Sequence, residues 1–207
     1  MKIISIEGNI GSGKSTFVKY IRDSISSKKV CFLDEPVKEW SEIKDEEGKT
    51  VLENYYGNPK AFAFTFQMMA YISRLAYLKR AIESNEYDVI ITERTLFTDK
   101  NVFCEMLYAD GMISKIEYTI YNNWFKEFID MIPPIQYVYL KTIPEVSETR
   151  VKKRDRLGES TISLEYLAKC HEYHENWLNN TPNVTTIDAN EKNVNIGWLN
   201  IVMSLVQ

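Results

Sequence analysis

Residues 8–15 read Gly-Asn-Ile-Gly-Ser-Gly-Lys-Ser, with three glycines, a lysine and two hydroxyls in eight positions. The spacing fits G-x-x-x-x-G-K-[ST], and the stretch lies between a β-branched run and a helical pattern. Gly8, Gly11 and Gly13 let backbone N–H groups turn inward to cradle phosphate oxygens, and a helix opening at Lys14 adds its positive N-terminal end. Lys14 can reach the β and γ phosphates, and the Ser15 hydroxyl can ligate Mg²⁺. With Asn9, Ile10, Ser12 and Thr16, these residues predict a nucleoside triphosphate site. The plainer alternative, a glycine turn that only joins strand to helix, fits the context less well.

Other chemistry-bearing residues fall where predicted strands end. Glu35, in "FLDEPVKEW", follows the second strand, and Pro36 stiffens the chain behind it. A carboxylate there can take a proton from an attacking hydroxyl, although a surface acid in a turn is equally compatible with this stretch alone. "ITERT" ends the third strand with Glu93, suited to lie near Mg²⁺, and Arg94, whose planar fork suits phosphate oxygens. Gln67, Ala70 and Arg74 share one face of a long helical pattern at i, i+3 and i+7. If buried, Gln67 and Arg74 need partners, and a planar amide can pair with a nucleobase edge; otherwise they mark the wet side of the helix. Asp99 is a candidate partner for Arg74, and Phe103 could stack on a base or simply pack. "RVKKRDRLGES" (150–160) carries five basic residues, among them Arg150, Arg154 and Arg156, and reads either as a lid that brings arginines onto a phosphoryl group or as a solvated basic helix end. "HEYH" (171–174) lacks the H-E-x-x-H spacing of a zinc site, so packing is the default for His171 and His174.

The elements that must hold these residues alternate. Five β-branched runs, Lys2–Ile6, Val30–Leu33, Val89–Thr92, Gln136–Leu140 and Val184–Ile187, are separated by long helical patterns. The helices are predicted at about 14–26, 59–84, 114–130, 144–153, 163–178 and 194–206. Such alternation predicts an α/β fold with a parallel sheet covered on both faces. The 207 residues suit one domain, with no repeat or linker. A net charge of −4 gives no basic surplus for gripping nucleic acid. Cys31, Cys104 and Cys170 form no disulfide pattern, and no run reaches the length of a membrane span. The expectation is a soluble, cytoplasmic protein.

Taken in order, "EGNIGSGKST", "DEPVKEW", "YYGNPKAFAFTFQ", "ERTLFTDKNVF", "RVKKRDRLGES" and "LEYLAKCHEYHENWL" resemble the cellular-type deoxynucleoside kinases, the group with deoxycytidine, deoxyguanosine and deoxyadenosine kinases. The resemblance covers nearly the whole chain. It implies a P-loop kinase fold with a five-stranded parallel sheet, a lid at about 150–160, ATP as donor with Mg²⁺, and a homodimer formed through a helical bundle. It implies Glu35 as the base for the substrate 5′-hydroxyl, with Arg94 beside it and Lys14 on the phosphates. Glu93 would join Ser15 near Mg²⁺; Tyr56 and Glu159 would hold the sugar 3′-hydroxyl; Gln67 would pair with the base, Phe103 stack on it and Trp40 line the pocket. Arg150, Arg154 and Arg156 would cover the ATP phosphates. Ala70, Arg74 and Asp99 look like the deoxycytidine/deoxyguanosine pattern, which disfavours thymidine because its methyl would crowd an Arg–Asp pair. Two departures are the loop reading "GSGKS" in place of "AAGKS", and Gly158 where a first lid acid usually stands.

Two rival readings make distinct demands. A nucleoside monophosphate kinase, such as a thymidylate kinase, would need a basic residue near position 35, where an acid stands. A GTPase-like switch would need D-x-x-G and N-K-x-D, and neither "ERTLFTDK" nor "DANEKN" supplies them.

Overall fold

The five apolar runs become strands β1 (Lys2–Glu7), β2 (Val30–Leu33), β3 (Val89–Glu93), β4 (Ile135–Lys141) and β5 (Val184–Asp188). They form one sheet in the order β2-β3-β1-β4-β5, with every neighbouring pair parallel. This computed structural model describes residues 1–154, 159–191 and 195–206.

The helices in chain order are α1 (Lys14–Ser24), α2 (Val37–Trp40), α3 (Val51–Gly57), α4 (Pro59–Glu83), α5 (Leu96–Thr98), α6 (Glu105–Ala109), α7 (Lys115–Ile129), α8 (Pro144–Arg154), α9 (Leu164–Leu178) and α10 (Ile196–Val206). A π-helical turn, Asp99–Cys104, joins α5 to α6, and Glu159–Thr161 is a single 3₁₀ turn. Every strand and helix expected from the sequence is present, with ends moved by a residue or two.

The period of two along each strand sorts the core into two layers. Ile4, Ile6, Val138 and Leu140 pack with Phe17, Val18 and Ile21 of α1 and with Leu199 and Val202 of α10. Ile3, Ile90, Tyr137 and Tyr139 point the other way, into the larger core that also takes Tyr71 of α4, Tyr121 of α7 and Leu167 of α9. Burial on both faces explains why the strands read as continuous apolar runs. The chain leaves β1 for the β2 edge and leaves β3 for β4 on the far side of β1. The two connections diverge, and a crevice opens at the carboxyl ends of β1 and β3.

Local chemistry sets the helix starts. Asn58 accepts from the Ala61 N–H and Pro59 occupies the first turn of α4. Ser114 and Glu117 form a reciprocal cap on α7, and Ser163 caps α9. Helix α3 was not expected, since its apolar run is short. Its signal was Thr50-Val-Leu-Glu53, a capping box in which Thr50 and Glu53 satisfy each other's backbone N–H groups. The charged run 44–49 is an exposed turn closed by a bridge between Lys44 and Thr50. Among the described residues, no helix is long and apolar enough to cross a membrane.

Candidate active site

The crevice holds a cavity of about 520 Å³. Of the residues predicted to bind ATP, substrate or Mg²⁺ or to act in catalysis, Gly8 and Asn9 do not line it and Arg156 lies outside the described residues; the others do. Gly8 and Gly11 are required by geometry. A Cβ on Gly8 would stand 2.7 Å from the Leu140 carbonyl oxygen, and one on Gly11 would stand 2.5 Å from that of Ser147; both residues have positive φ. Asn9 holds the loop from behind, where its side-chain amide donates to the Leu167 carbonyl and accepts from the Ile10 N–H, each at 2.8 Å. Gly13 opens α1 with no side-chain cap, so the first N–H groups of the helix stay available to an anion. The Ser12 hydroxyl is buried without a partner.

Lys14 is buried, and its ammonium donates to the Asn9 carbonyl at 2.8 Å. Burial, with Arg94 beside it, pushes its pKa down to about 7, against the opposing pull of Glu93 and Glu35. The Ser15 hydroxyl donates to the Glu93 carboxylate at 2.9 Å, which sets two hard oxygen groups side by side at the loop's exit. That donor set fits Mg²⁺. Thr16 is exposed at the cavity wall.

Glu35 stands at the centre. One carboxylate oxygen accepts from Arg74 at 2.6 Å and from Arg94 at 2.8 Å. Burial opposes the charge, but Arg94, Arg74 and Lys14 outweigh it and hold this carboxyl well below the usual range. Arg94 has a φ of 62°, a left-handed conformation that an arginine rarely adopts. Its N–H bonds to the Ile6 carbonyl, and its guanidinium also donates to the Gly8 carbonyl at 3.3 Å. The strained backbone thus turns the side chain back across the phosphate loop. Arg74 also donates to the Glu93 carbonyl and pairs with Asp99 through Nε at 3.0 Å. Burial raises the Asp99 pKa against the pull of Arg74.

Beyond Glu35 the cavity is apolar and aromatic. Trp40 donates its indole N–H to Ser73, while Arg74 lies 5.3 Å from its ring centroid. Gln67 is 2% exposed, and its amide oxygen has no partner. With Arg74 it forms one polar edge in an apolar wall, and the small Ala70 side chain leaves room between them. Phe103 faces this space under the Arg94 guanidinium at 5.2 Å, and its far side meets His174 edge-on. His174 belongs to the core, with Nδ1 against the Cys170 carbonyl, and burial pushes its pKa down to about 3. Tyr56 also lines the cavity.

A model of the deoxynucleoside kinase family matches residues 4–199. The chain belongs to the deoxynucleoside kinase family. It has that family's P-loop kinase fold and phosphorylates deoxynucleosides, with ATP as the donor. It is 36% identical over 180 residues to a probable deoxycytidine kinase of fowlpox virus, which covers 86% of this chain and 72% of that protein. Human deoxycytidine kinase is 34% identical over 198 residues, covering 86% and 75%. The mitochondrial deoxyguanosine kinase of Xenopus laevis is 30% identical over 220 residues, covering 97% and 82%.

In this deoxynucleoside kinase, Arg150, expected over the phosphates, lines the cavity with its guanidinium bonded to backbone. Its guanidinium donates to the carbonyls of Ser12, Ala189, Asn190 and Glu191, so it fastens the segment after β5 to the phosphate loop. Arg154 lines the cavity but pairs with Glu159, at 3.1 Å through Nε. Glu159, expected on a sugar hydroxyl, is buried at the cavity wall with that arginine beside it. Arg156 and Gly158 lie outside the described residues. Sequence reasoning missed the pair Tyr55 and Tyr166, whose hydroxyls meet at 2.9 Å beside the site, and the wall formed by Glu191 and Trp198. Glu191 and Trp198 carry no local signal, because each is brought in by a distant element.

Proposed function

We propose that this enzyme transfers the γ-phosphoryl group of Mg·ATP to the 5′-hydroxyl of a 2′-deoxynucleoside, with deoxycytidine and purine deoxynucleosides favoured over thymidine. The observation that carries the reading is Glu35, an ionised carboxylate between the phosphate loop and the aromatic compartment, held by Arg74 and Arg94. A hydroxyl arriving from the aromatic side meets an acceptor for its proton there. So depressed a carboxylate is a weak base, so proton transfer falls late, once the oxygen has begun to bond to phosphorus. Until then Glu35 orients the hydroxyl. Arg94 and Lys14 stabilise charge spreading over the phosphoryl oxygens, and most of the acceleration is positioning and electrostatics.

Ser15 and Glu93 would hold magnesium, which when bound neutralises charge on the β and γ phosphates. Gln67 presents an unpartnered acceptor to a base edge, Phe103 offers a stacking face, and Tyr56 with Glu159 borders the sugar position. Arg154 is one pairing away from the phosphates. The relatives named for deoxycytidine and deoxyguanosine support the base preference. The test is Glu35→Gln. We expect kcat to fall by roughly 10²–10⁴-fold while ATP affinity stays within about twofold; an unaltered rate removes Glu35 from the role.

A further inference from the structure

Glu7 is fully buried at the end of β1, one residue before the phosphate loop begins at Gly8. With Ser5 it continues the strand face that Ile3 turns into the larger core, where a carboxyl is costly unless its oxygens are bonded. Oε1 accepts from the Ser5 hydroxyl at 2.5 Å, and Oε2 accepts from the Thr98 hydroxyl at 2.7 Å. Thr98 is also fully buried, and its hydroxyl accepts from the Thr95 N–H at 3.2 Å. Its single proton is therefore committed to Glu7. Burial pushes the Glu7 pKa up, against the pull of the two hydroxyls, Arg94 and Lys14.

This chain of bonds ends at the turn that aims Arg94. A left-handed arginine, here at φ 62°, persists only where its surroundings hold it. The Arg94 N–H bonds to the Ile6 carbonyl and its guanidinium to the Gly8 carbonyl, the residues on either side of Glu7. Thr92 donates to the Arg94 carbonyl at 2.8 Å, and the next N–H along, that of Thr95, is the one Thr98 takes. The turn is thus held from both of its ends, and the far end depends on Glu7. Arg94 Nε is buried with no partner among the described residues, a donor left over for a phosphoryl oxygen. We propose that Glu7 is a positioning residue for phosphoryl transfer, which through Thr98 locks the Arg94 turn against the start of the phosphate loop. The inference rests on reading Arg94 as a group that stabilises the transferring phosphoryl charge.

The test is a double-mutant cycle, with kcat and the KM for ATP measured on the best of the four deoxynucleosides. Glu7→Leu removes both bonds at similar volume and is expected to lower kcat about thirtyfold, with the KM for ATP within about threefold. Glu7→Gln can still accept from Thr98 and donate to a rotated Ser5 hydroxyl, so its kcat should stay within about threefold of wild type. In an Arg94→Ala background, Glu7→Leu should cost less than about threefold, because the group it positions is gone. An unaltered kcat in Glu7→Leu overturns the proposal, as does a Glu7→Gln enzyme as slow as Glu7→Leu. A Glu7→Leu loss of equal size with and without the Arg94 side chain overturns this inference alone. An Arg94→Ala enzyme as fast as wild type overturns the reading of Arg94 and this inference with it. If Glu7→Leu does not fold, Thr98→Val breaks the same chain from its other end. It should show the same loss and the same dependence on Arg94, with Thr98→Ser keeping the rate; a Thr98→Val enzyme equal to wild type overturns the proposal.

Discussion

Lys14 is buried beside Arg94, an environment that works against its charge. Its pKa, pushed down to about 7 from an ordinary 10.5, means that the folded protein resists charging the one group the triphosphate needs charged. Between those values the unfolded chain holds more protons, so the cost to stability is complete below pH 7 and lifts as the pH climbs toward 10.5. A polyanion beside Lys14 reverses the shift. ATP binding at pH 8 should therefore draw a proton from the buffer, measured as a dependence of the calorimetric enthalpy on buffer ionisation heat. Lys14→Met should abolish that dependence, and a wild type with no proton uptake would contradict the assignment. Glu35 behaves in the opposite sense. Its carboxyl is held so far down by two arginines that it contributes no acid limb to the rate profile at any ordinary working pH.

At the scale of elements, α4 and the π turn meet across the pocket. Arg74 on α4 reaches Glu35, the Glu93 carbonyl and Asp99, and so ties the proposed nucleobase edge to the proposed general base through one guanidinium. The π turn gives 99–104 a wider winding than an α-helix and brings both Asp99 and Phe103 to the cavity wall. Removing one member of this buried pair would strand the other's charge, a loss of about 3–5 kcal/mol. Changing both is the informative experiment. Arg74→Met with Asp99→Ala clears the far edge of the base, and thymidine's kcat/KM relative to deoxycytidine should rise at least about tenfold, an order of magnitude in keeping with losing a few hydrogen-bonding groups at a specificity edge. A panel of the four deoxynucleosides reads this directly, and an unchanged ratio would free the pair from selecting the base.

For the whole molecule, the unburied surface of α7 is the outstanding feature. Ile116, Ile120 and Trp124 lie on one face at i, i+4 and i+8 and are 74%, 40% and 51% exposed. Three large apolar side chains in line favour a partner surface over water. This supports a homodimer through α7, which would leave the active site in each protomer intact. Sedimentation should find a dimer in the wild type and a monomer in Trp124→Glu, whose buried charge an apolar interface would reject. A wild-type monomer at micromolar concentration would rule that arrangement out.

The phosphate loop, the five strands and the shared helix face of Gln67, Ala70 and Arg74 were legible in the sequence, because each is set by contacts between near neighbours or by a simple period. Glycine spacing shapes the loop, alternation of β-branched runs sets the sheet, and i, i+3, i+7 spacing puts Gln67, Ala70 and Arg74 on one face. The tertiary structure decided which partners the charged groups choose. Arg150 bonds backbone at Ser12 and at residues 189–191, Arg94 takes a left-handed backbone to reach Glu35, and Trp198 arrives beside the loop from the far end of the chain. A long flexible side chain has many candidate partners along a sequence. Only packing, which excludes water and leaves a few oxygens within reach, selects among them.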